Sequence, residues 1–411
     1  MKPPHLFAYF GVELEYMIVD AATLAVRPWA DRVLLDANGR PTSDVDRGRL
    51  TWSNELVAHV VELKTTLPEE SLDGLAAHFA AEAAEVNRRL APHGVCLLPT
   101  AMHPLMRPEE STLWAHEYNE VYAAFDRIFD CRGHGWSNLQ SVHLNLPFAN
   151  VEEFARLHAA IRLVLPLLPA LAASSPFVEG RSTGWLDNRL AFYRNNSQKL
   201  PSLTGRVIPE PVFSEAEYRK TIYEPIAAEL APHDPDGHLQ AAFSNSRGAI
   251  ARFDRDSIEI RVLDIQESPA ADLAMVRTIV AWLQELVAEK RVSLAEQQAL
   301  AVEPLRHVFD ATAELGDTAM IRDSVLLRAS GVSAKEISAH DLWRAVIDRL
   351  QPTQNASASE QRALGTFYEA GSLAARMRAA HHAGESLPDI YRRLADGLCA
   401  NTPFESKPAK G

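Results

Sequence analysis

The sequence predicts an α+β fold, a largely antiparallel sheet with surrounding helices and a helical C-terminal region. Four segments have the two-residue period of strands, and amphipathic helical segments fall between them in uneven groups rather than in strict alternation. After Ser268-Pro269 the pattern turns almost wholly helical. Residues 1–268 are therefore expected to hold the sheet and the chemistry, and residues 269–411 a helical region packed on the same domain.

The first strand is expected within Leu6 to Asp20, where Phe10, Val12, Leu14, Tyr16 and Ile18 alternate with Gly11, Glu13, Glu15 and Met17. Period two puts both glutamates on one face. Leu56 to Thr65, Ser141 to Phe148 and Ser257 to Leu263 have the same strand character. Helix starts are marked by Ser71 before Leu72 to Leu90, by Asn150 with Glu153 before Phe154 to Leu165, and by Ser214 with Glu217. Ser268 followed by Pro269 opens the helical region, where Ser293 with Glu296 and Ser333 with Glu336 repeat the capping pattern. The last ten residues are polar and are expected to fray.

A 411-residue chain with 47% hydrophobic and 23% charged residues has the make-up of a folded protein with a large core. Its 54 acidic and 41 basic residues give a formal charge of −13, which argues against a broad phosphate-tracking surface for nucleic acid. Any anionic substrate must be met by local charge. Three widely spaced cysteines, Cys96, Cys131 and Cys399, argue against a disulfide framework and for a reducing compartment. The N-terminus lacks the plan of a signal peptide, and the apolar run Ile161 to Ala173 carries Pro166 and Pro169 and is too short to span a bilayer. A cytoplasmic chain with no membrane partner is expected.

Candidate chemistry sits inside the strand-like segments. Glu13 and Glu15 lie two apart among strong apolar neighbours, and burying two like charges side by side needs a positive partner, for which a divalent cation is well suited. Glu55 and Glu62 reach one site if Glu55 lies before the strand or a bulge intervenes; Glu62 with Lys64 also reads as a surface ion pair. His143 shares a face with Ser141 and Asn145, and Glu259 shares one with Arg261. Each feature alone has a bland reading as a surface stripe, an ion pair or a core histidine. Four strands that each set carboxylate, imidazole or guanidinium within an apolar sequence point to one polar sheet face. Such a face is suited to magnesium ions and the phosphates they bridge, with an arginine steadying a transferred phosphoryl group. In the loop after Ser174, Arg181, Arg189 and Arg194 are candidates to clamp a substrate carboxylate, although Arg189 and Arg194 diverge on a regular helix. No phosphate-binding Gly-rich loop with Lys-Ser/Thr is present, and Cys131 with His134 lacks a second pair for zinc.

Five pieces in order give a resemblance: Gly11-Val-Glu-Leu-Glu-Tyr, Glu55 with Val61-Glu-Leu-Lys-Thr, Val142-His-Leu-Asn, Ser175-Pro-Phe with Gly180 and Thr183-Gly184, and Ile258-Glu-Ile-Arg-Val-Leu-Asp. Together they resemble glutamate–cysteine ligase family 2, the carboxylate–amine ligases, whose fold is similar to glutamine synthetase. The resemblance spans roughly Gly11 to Pro269. It implies that Glu13, Glu15, Glu55, Glu62, His143 and Glu259 hold two or more magnesium ions, with manganese as a substitute, beside ATP. It also implies Arg261 and Glu62 as catalytic residues, Arg261 on the phosphate, and Arg189 and Arg194 as candidates for the donor carboxylate. The implied reaction forms a γ-glutamyl-type amide through an acyl phosphate, with glutamate as donor and cysteine or another amine as acceptor. Small-molecule amino acids and amines would be its partners, and a homo-oligomer is compatible with it. Two departures stand out: Tyr193-Arg-Asn-Asn-Ser-Gln replaces a tryptophan- and arginine-rich stretch, and Asn145 stands where glycine is commoner. Two other readings of the same residues are a guanidino-type phosphotransferase and a non-catalytic magnesium–nucleotide sensor.

Overall fold

A computed structural model describes residues 3–405. Its centre is an antiparallel sheet of eight strands: β1 Gly11–Asp20, β2 Asp44–Asp46, β3 Leu50–Asn54, β4 Val60–Thr65, β5 Val95–Leu98, β6 Ser141–Pro147, and, after the short hairpin of β7 Phe177–Val178 and β8 Arg181–Ser182, β9 Ala249–Arg252 and β10 Ser257–Asp264. The order is β2-β3-β4-β1-β6-β10-β9. Strand β1 is the hub. It pairs with β4 along Glu13 to Met17, with β6 at its start and with β5 at its end. The expected mixed, largely antiparallel architecture is the one observed.

Alternation sorts the strands onto two different surfaces. Val12, Leu14, Tyr16 and Ile18 of β1, with Val61, Leu63, Val142, Leu144, Ile258 and Ile260, enter the main hydrophobic core. Helix Pro269–Val287 packs against both Leu75–Leu90 and Val151–Val164 over that core. On the opposite face, Met17 and Val19 at the end of β1 are buried under the last two helices, Leu373–His382 and Leu387–Ala400, through Leu373, Met377, Ile390, Tyr391 and Leu394. Glu13 and Glu15, at the start of the same face, are left to something polar.

Several local expectations need correction. Ser71 does not open a helix; it accepts from Asp73 N–H, and the helix begins at Leu75 after Gly74, whose φ of 71° suits glycine. Ser333 and Glu336 form no capping box, because Glu336 pairs with Arg322 and the helix starts one turn later with Ser338 capping Asp341. Asn150, Ser214, Ser268 and Ser293 do cap the helices that follow them. Strand β3 was not among the expected segments. The apolar run expected to be too short for a bilayer belongs to a longer helical stretch, Val151–Ala172, of 22 residues; its apolar window is 89% buried within the fold. In the C-terminal stretch expected to fray, Phe404 is instead buried: Arg376 donates to its carbonyl, and its own N–H donates to Glu267 at 3.1 Å. Residues 406–411 of that stretch lie outside the described residues.

Candidate active site

Cross-strand register assembles the polar face. Glu13 pairs with His143 across β1–β6 and with Lys64 across β1–β4, Glu15 lies opposite Glu62, Glu62 opposite Ser53 of β3, and Glu259 opposite Asn145. Glu13, Glu15, Glu62, His143 and Glu259 thus share one surface. Glu55 joins them because it lies in the turn between β3 and β4, ahead of the strand.

Two sets of potential ligand atoms result. Those of Glu13, Glu62 and His143 lie within 4.8 Å of one another, and so do those of Glu15, Glu55 and Glu62. Glu62 belongs to both. His143 binds Glu13 through Nδ1 at 2.9 Å and lies 3.6 Å from Glu259, while its Nε2 is 3.7 Å from Glu15. Ser53 donates to Glu62 at 2.5 Å, Lys64 stands 3.2 Å from it, and the Ser141 N–H donates to Glu15 at 2.7 Å. Arg261 reaches Glu259 at 3.0 Å.

Asn145, one of the departures from the family pattern, has a local reason. It faces Gly11, where a Cβ would come within 2.9 Å of the Asn145 Cβ, so the missing side chain makes room for it. From there Asn145 donates to Glu13 at 2.9 Å.

Five buried or half-buried glutamates face three cations, Lys64, His143 and Arg261, and the imbalance shifts the ionisation of the groups. Burial would raise Glu13, but its hydrogen bond and charge contact with His143 win and bring it down to about 2. Burial, then the Glu13 charge, pushes Glu62 up to about 7 against the pull of Lys64. Burial and the charges of Glu15 and Glu62 hold Glu55 well above the usual carboxylate range. Burial would lower His143, yet the Glu13 hydrogen bond and the Glu15 charge raise it to about 9. The donor set is carboxylate-rich and short of positive charge, which is the chemistry a hard divalent cation fits.

The loop arginines do not form the expected clamp. Arg194 is turned away to Asp310 at 3.1 Å and stacks on Trp185. Arg181 is exposed beside Glu179. Arg189 does line the site, but it is buried, 3.3 Å from Asp264, and donates to the Arg261 carbonyl at 2.8 Å. That carbonyl belongs to a bulge. The β10–β6 register slips between Ile260 and Leu263, which turns Asp264 toward Ser174, Ser175 and Arg189 and Leu263 into the core. No sequence signal had marked Ser53 or the bulge. Cys131 is buried in the core and His134 contacts Asn138, so that pair is no metal centre.

Beside the carboxylates opens a cavity of about 200 Å³. Its lining includes Glu15, Glu55, His143, Arg189 and Arg261, and also the rings of Tyr122, Phe125, Trp136 and Phe243, where Phe125 contacts both Trp136 and Phe243. No residue after Arg261 lines it.

The sequence profile of glutamate–cysteine ligase family 2 matches residues 9–393. An uncharacterized protein of Archaeoglobus fulgidus is 37% identical over 287 residues, 69% of this chain and 76% of that protein. A Bradyrhizobium sp. (strain ORS 278) protein, named provisionally as glutamate–cysteine ligase 2, is 29% identical over 52% of this chain and 48% of its own. The chain thus spans about half the length of that relative. Among solved structures, glutamate–cysteine ligase of Francisella tularensis, in complex with AMP, superposes with a TM-score of 0.63 at 11% identity over 97% of this chain and 90% of that one. A bifunctional glutathione synthetase of Pasteurella multocida gives 0.61 at 15% identity, over 96% of this chain and 52% of that one. At these identities the structures speak to the fold, which they share. With the family profile running almost the whole length of the chain, the protein belongs to glutamate–cysteine ligase family 2, the carboxylate–amine ligases.

Proposed function

We propose that this protein is an ATP- and magnesium-dependent ligase that activates the side-chain carboxylate of an amino acid, with L-glutamate as the donor, and joins it to an amine. The observation that carries this is the pair of ligand triads sharing Glu62 at the edge of a cavity that also presents Arg261. Glu13, Glu62 and His143 would hold one magnesium ion and Glu15, Glu55 and Glu62 a second, and ions bound there supply positive charge to the nucleotide phosphates. As a ligand, His143 has to give up the proton it otherwise shares with Glu13.

The residues of the chain do the rest. A carboxylate is inert toward amines until one of its oxygens can leave, so a carboxylate oxygen attacks the γ-phosphorus and ADP departs. Arg261, held at Glu259 and fixed at its carbonyl by Arg189, presents its guanidinium to the migrating phosphoryl group. The amine then attacks the acyl carbon, and phosphate leaves with the carbon–oxygen electrons. Among the described residues, the segment 269–405 packs and covers without supplying a reacting group.

Replacing Glu62 with glutamine keeps its size and removes the charge common to both triads. Mg-dependent ADP release should fall by about 100-fold or more, while the metal-free protein melts no earlier, because one of several crowded carboxylates has gone. Near-normal turnover would remove Glu62 from the site. Loss of folding would recast it as structural. Product masses from a panel of donors and amines distinguish an amide from a phosphorylated guanidine, and nucleotide binding with no turnover would mark a sensor.

A further inference from the structure

Helix Asn188–Tyr193 and the turn after it bring Arg189, Tyr193 and Ser197 to the lining of the cavity. The start of the helix is fixed. Asp187 accepts from Leu190 N–H at 2.8 Å, and the N–H groups of Leu186 and Asp187 donate to the carbonyls of Glu314 and Ala313 at 3.1 and 3.0 Å. Arg189 and Tyr193 stand four residues apart and so share one side of the helix, with the guanidinium 5.9 Å from the tyrosine ring centroid.

Each of the three keeps a donor with no hydrogen-bond partner among the described residues. Arg189 uses Nη1 on Asp264 and Nη2 on the Arg261 carbonyl, which leaves Nε; Tyr193 Oη and Ser197 Oγ are likewise unpaired. Arg189 and Ser197 are each only 2% exposed. A donor buried without a partner costs stability, and that cost is tolerated where a ligand completes the bond. Three such donors from one anchored segment, lining one cavity, form a prepared seat for an oxygen anion.

The reacting carboxylate has to lie beside the phosphoryl group at Arg261, so any second carboxylate on either substrate needs donors elsewhere. Resting on the ligase reading above, we infer that Arg189 Nε, Tyr193 Oη and Ser197 Oγ bind the α-carboxylate of an amino-acid substrate, the two hydroxyls setting specificity for it. A carboxylate has about four acceptor sites on its two oxygens, enough for all three donors at once. Arg189 supplies the charge, and the hydroxyls fix the orientation. Arg261, 3.0 Å from Glu259, stays with the phosphoryl group. The seat takes nothing from the glutamates that hold magnesium.

The test compares the full chain with Tyr193→Phe and Ser197→Ala by calorimetric titration in Mg²⁺ and a non-hydrolysable ATP analogue. Two matched pairs serve as probes. L-Glutamate and 4-aminobutanoate differ by the α-carboxylate of the donor, and L-cysteine and cysteamine by that of the acceptor. The parent chain should favour the carboxylate-bearing member of one pair by about a hundredfold or more, and each variant should narrow that ratio about tenfold, the loss of one hydrogen bond to a charged group. Neither variant should melt earlier than the parent, because the hydroxyl removed has no partner in the free protein. Narrowing in the glutamate pair assigns the seat to the donor, and narrowing in the cysteine pair assigns it to the acceptor. Ratios that both variants leave unchanged overturn the inference and return the hydroxyls to bound water, as does a parent chain with no preference in either pair. Weaker binding of the ATP analogue with both ratios intact also overturns it and gives the seat to a phosphate. In each of these cases, ADP release with amide product keeps the ligase reading standing. A narrowed ratio in a chain that releases no ADP with any donor and amine would instead sink the ligase reading and keep the carboxylate seat.

Discussion

Arg189 touches two parts of the site at once, the Arg261 carbonyl and the Asp264 carboxylate, and neither contact is visible in its sequence neighbourhood. Asp264 is fully buried, and burial works to raise it while the Arg189 charge opposes that. Arg189→Met would leave the carboxylate without its cation, which should cost about 3 kcal/mol in urea unfolding. Adding Asp264→Asn should recover most of that loss, since the pair is then removed together. Stability unchanged by Arg189→Met would show that the pair contributes nothing to the bulge. At the same scale, Glu13 and Glu15 were legible as a same-face pair because strand period alone decides it. Arg194 was not: its choice of Asp310 depends on a helix more than a hundred residues away.

At the scale of elements, the two halves of β1 show how one strand face serves two purposes. Glu13 and Glu15 look into the site, and Met17 and Val19 look into the packing of the last helices. Met377 on Leu373–His382 is fully buried there. Met377→Ala should therefore cost about 2–5 kcal/mol of stability and leave KM for ATP unchanged, as no residue of that helix lines the cavity. A raised KM with normal stability would mean that the tail shapes the site directly. Helix starts were legible where a capping side chain had no competitor, as at Asn150 and Ser268. They were misread at Ser333 because Arg322 claims Glu336, and at Ser71 because Gly74 turns the chain first.

Across the whole molecule, three buried histidines set the acid limit of stability. Burial holds His59 and His103 down to about 4 and His158 down to about 3, and each is hydrogen-bonded to a backbone carbonyl: Ser137, Leu24 and Val212. His103 also accepts from Leu105 N–H, which fixes it as the neutral Nε2–H form. Between pH 6.5 and 4 the unfolded chain binds protons that the folded chain refuses, so stability rises with pH in that window. It is fully present above about 6.5 and lost as pH falls toward 4, by roughly 3 kcal/mol for each such group. Glu55 and Glu62, raised in the fold, act in the opposite direction. The discriminating measurement is therefore urea unfolding of the chain and of His103→Gln at pH 7 and pH 4.5: the variant should lose clearly less stability on acidification. Equal losses would dismiss His103 as a contributor.

By itself the sequence determined the fold class, the capped helical region and the residues of the polar face, because period, capping and turn chemistry are local, and each acts over a few residues. Only the tertiary structure decided which strands became neighbours, and with that the sharing of Glu62 between two ligand sets. It also decided the approach of Glu55 from outside its strand, the bulge that turns Asp264 inward, and the gathering of the rings of Tyr122, Phe125, Trp136 and Phe243 at the cavity. These depend on contacts between segments far apart in the chain, whose free energies are set by burial and charge at the meeting point.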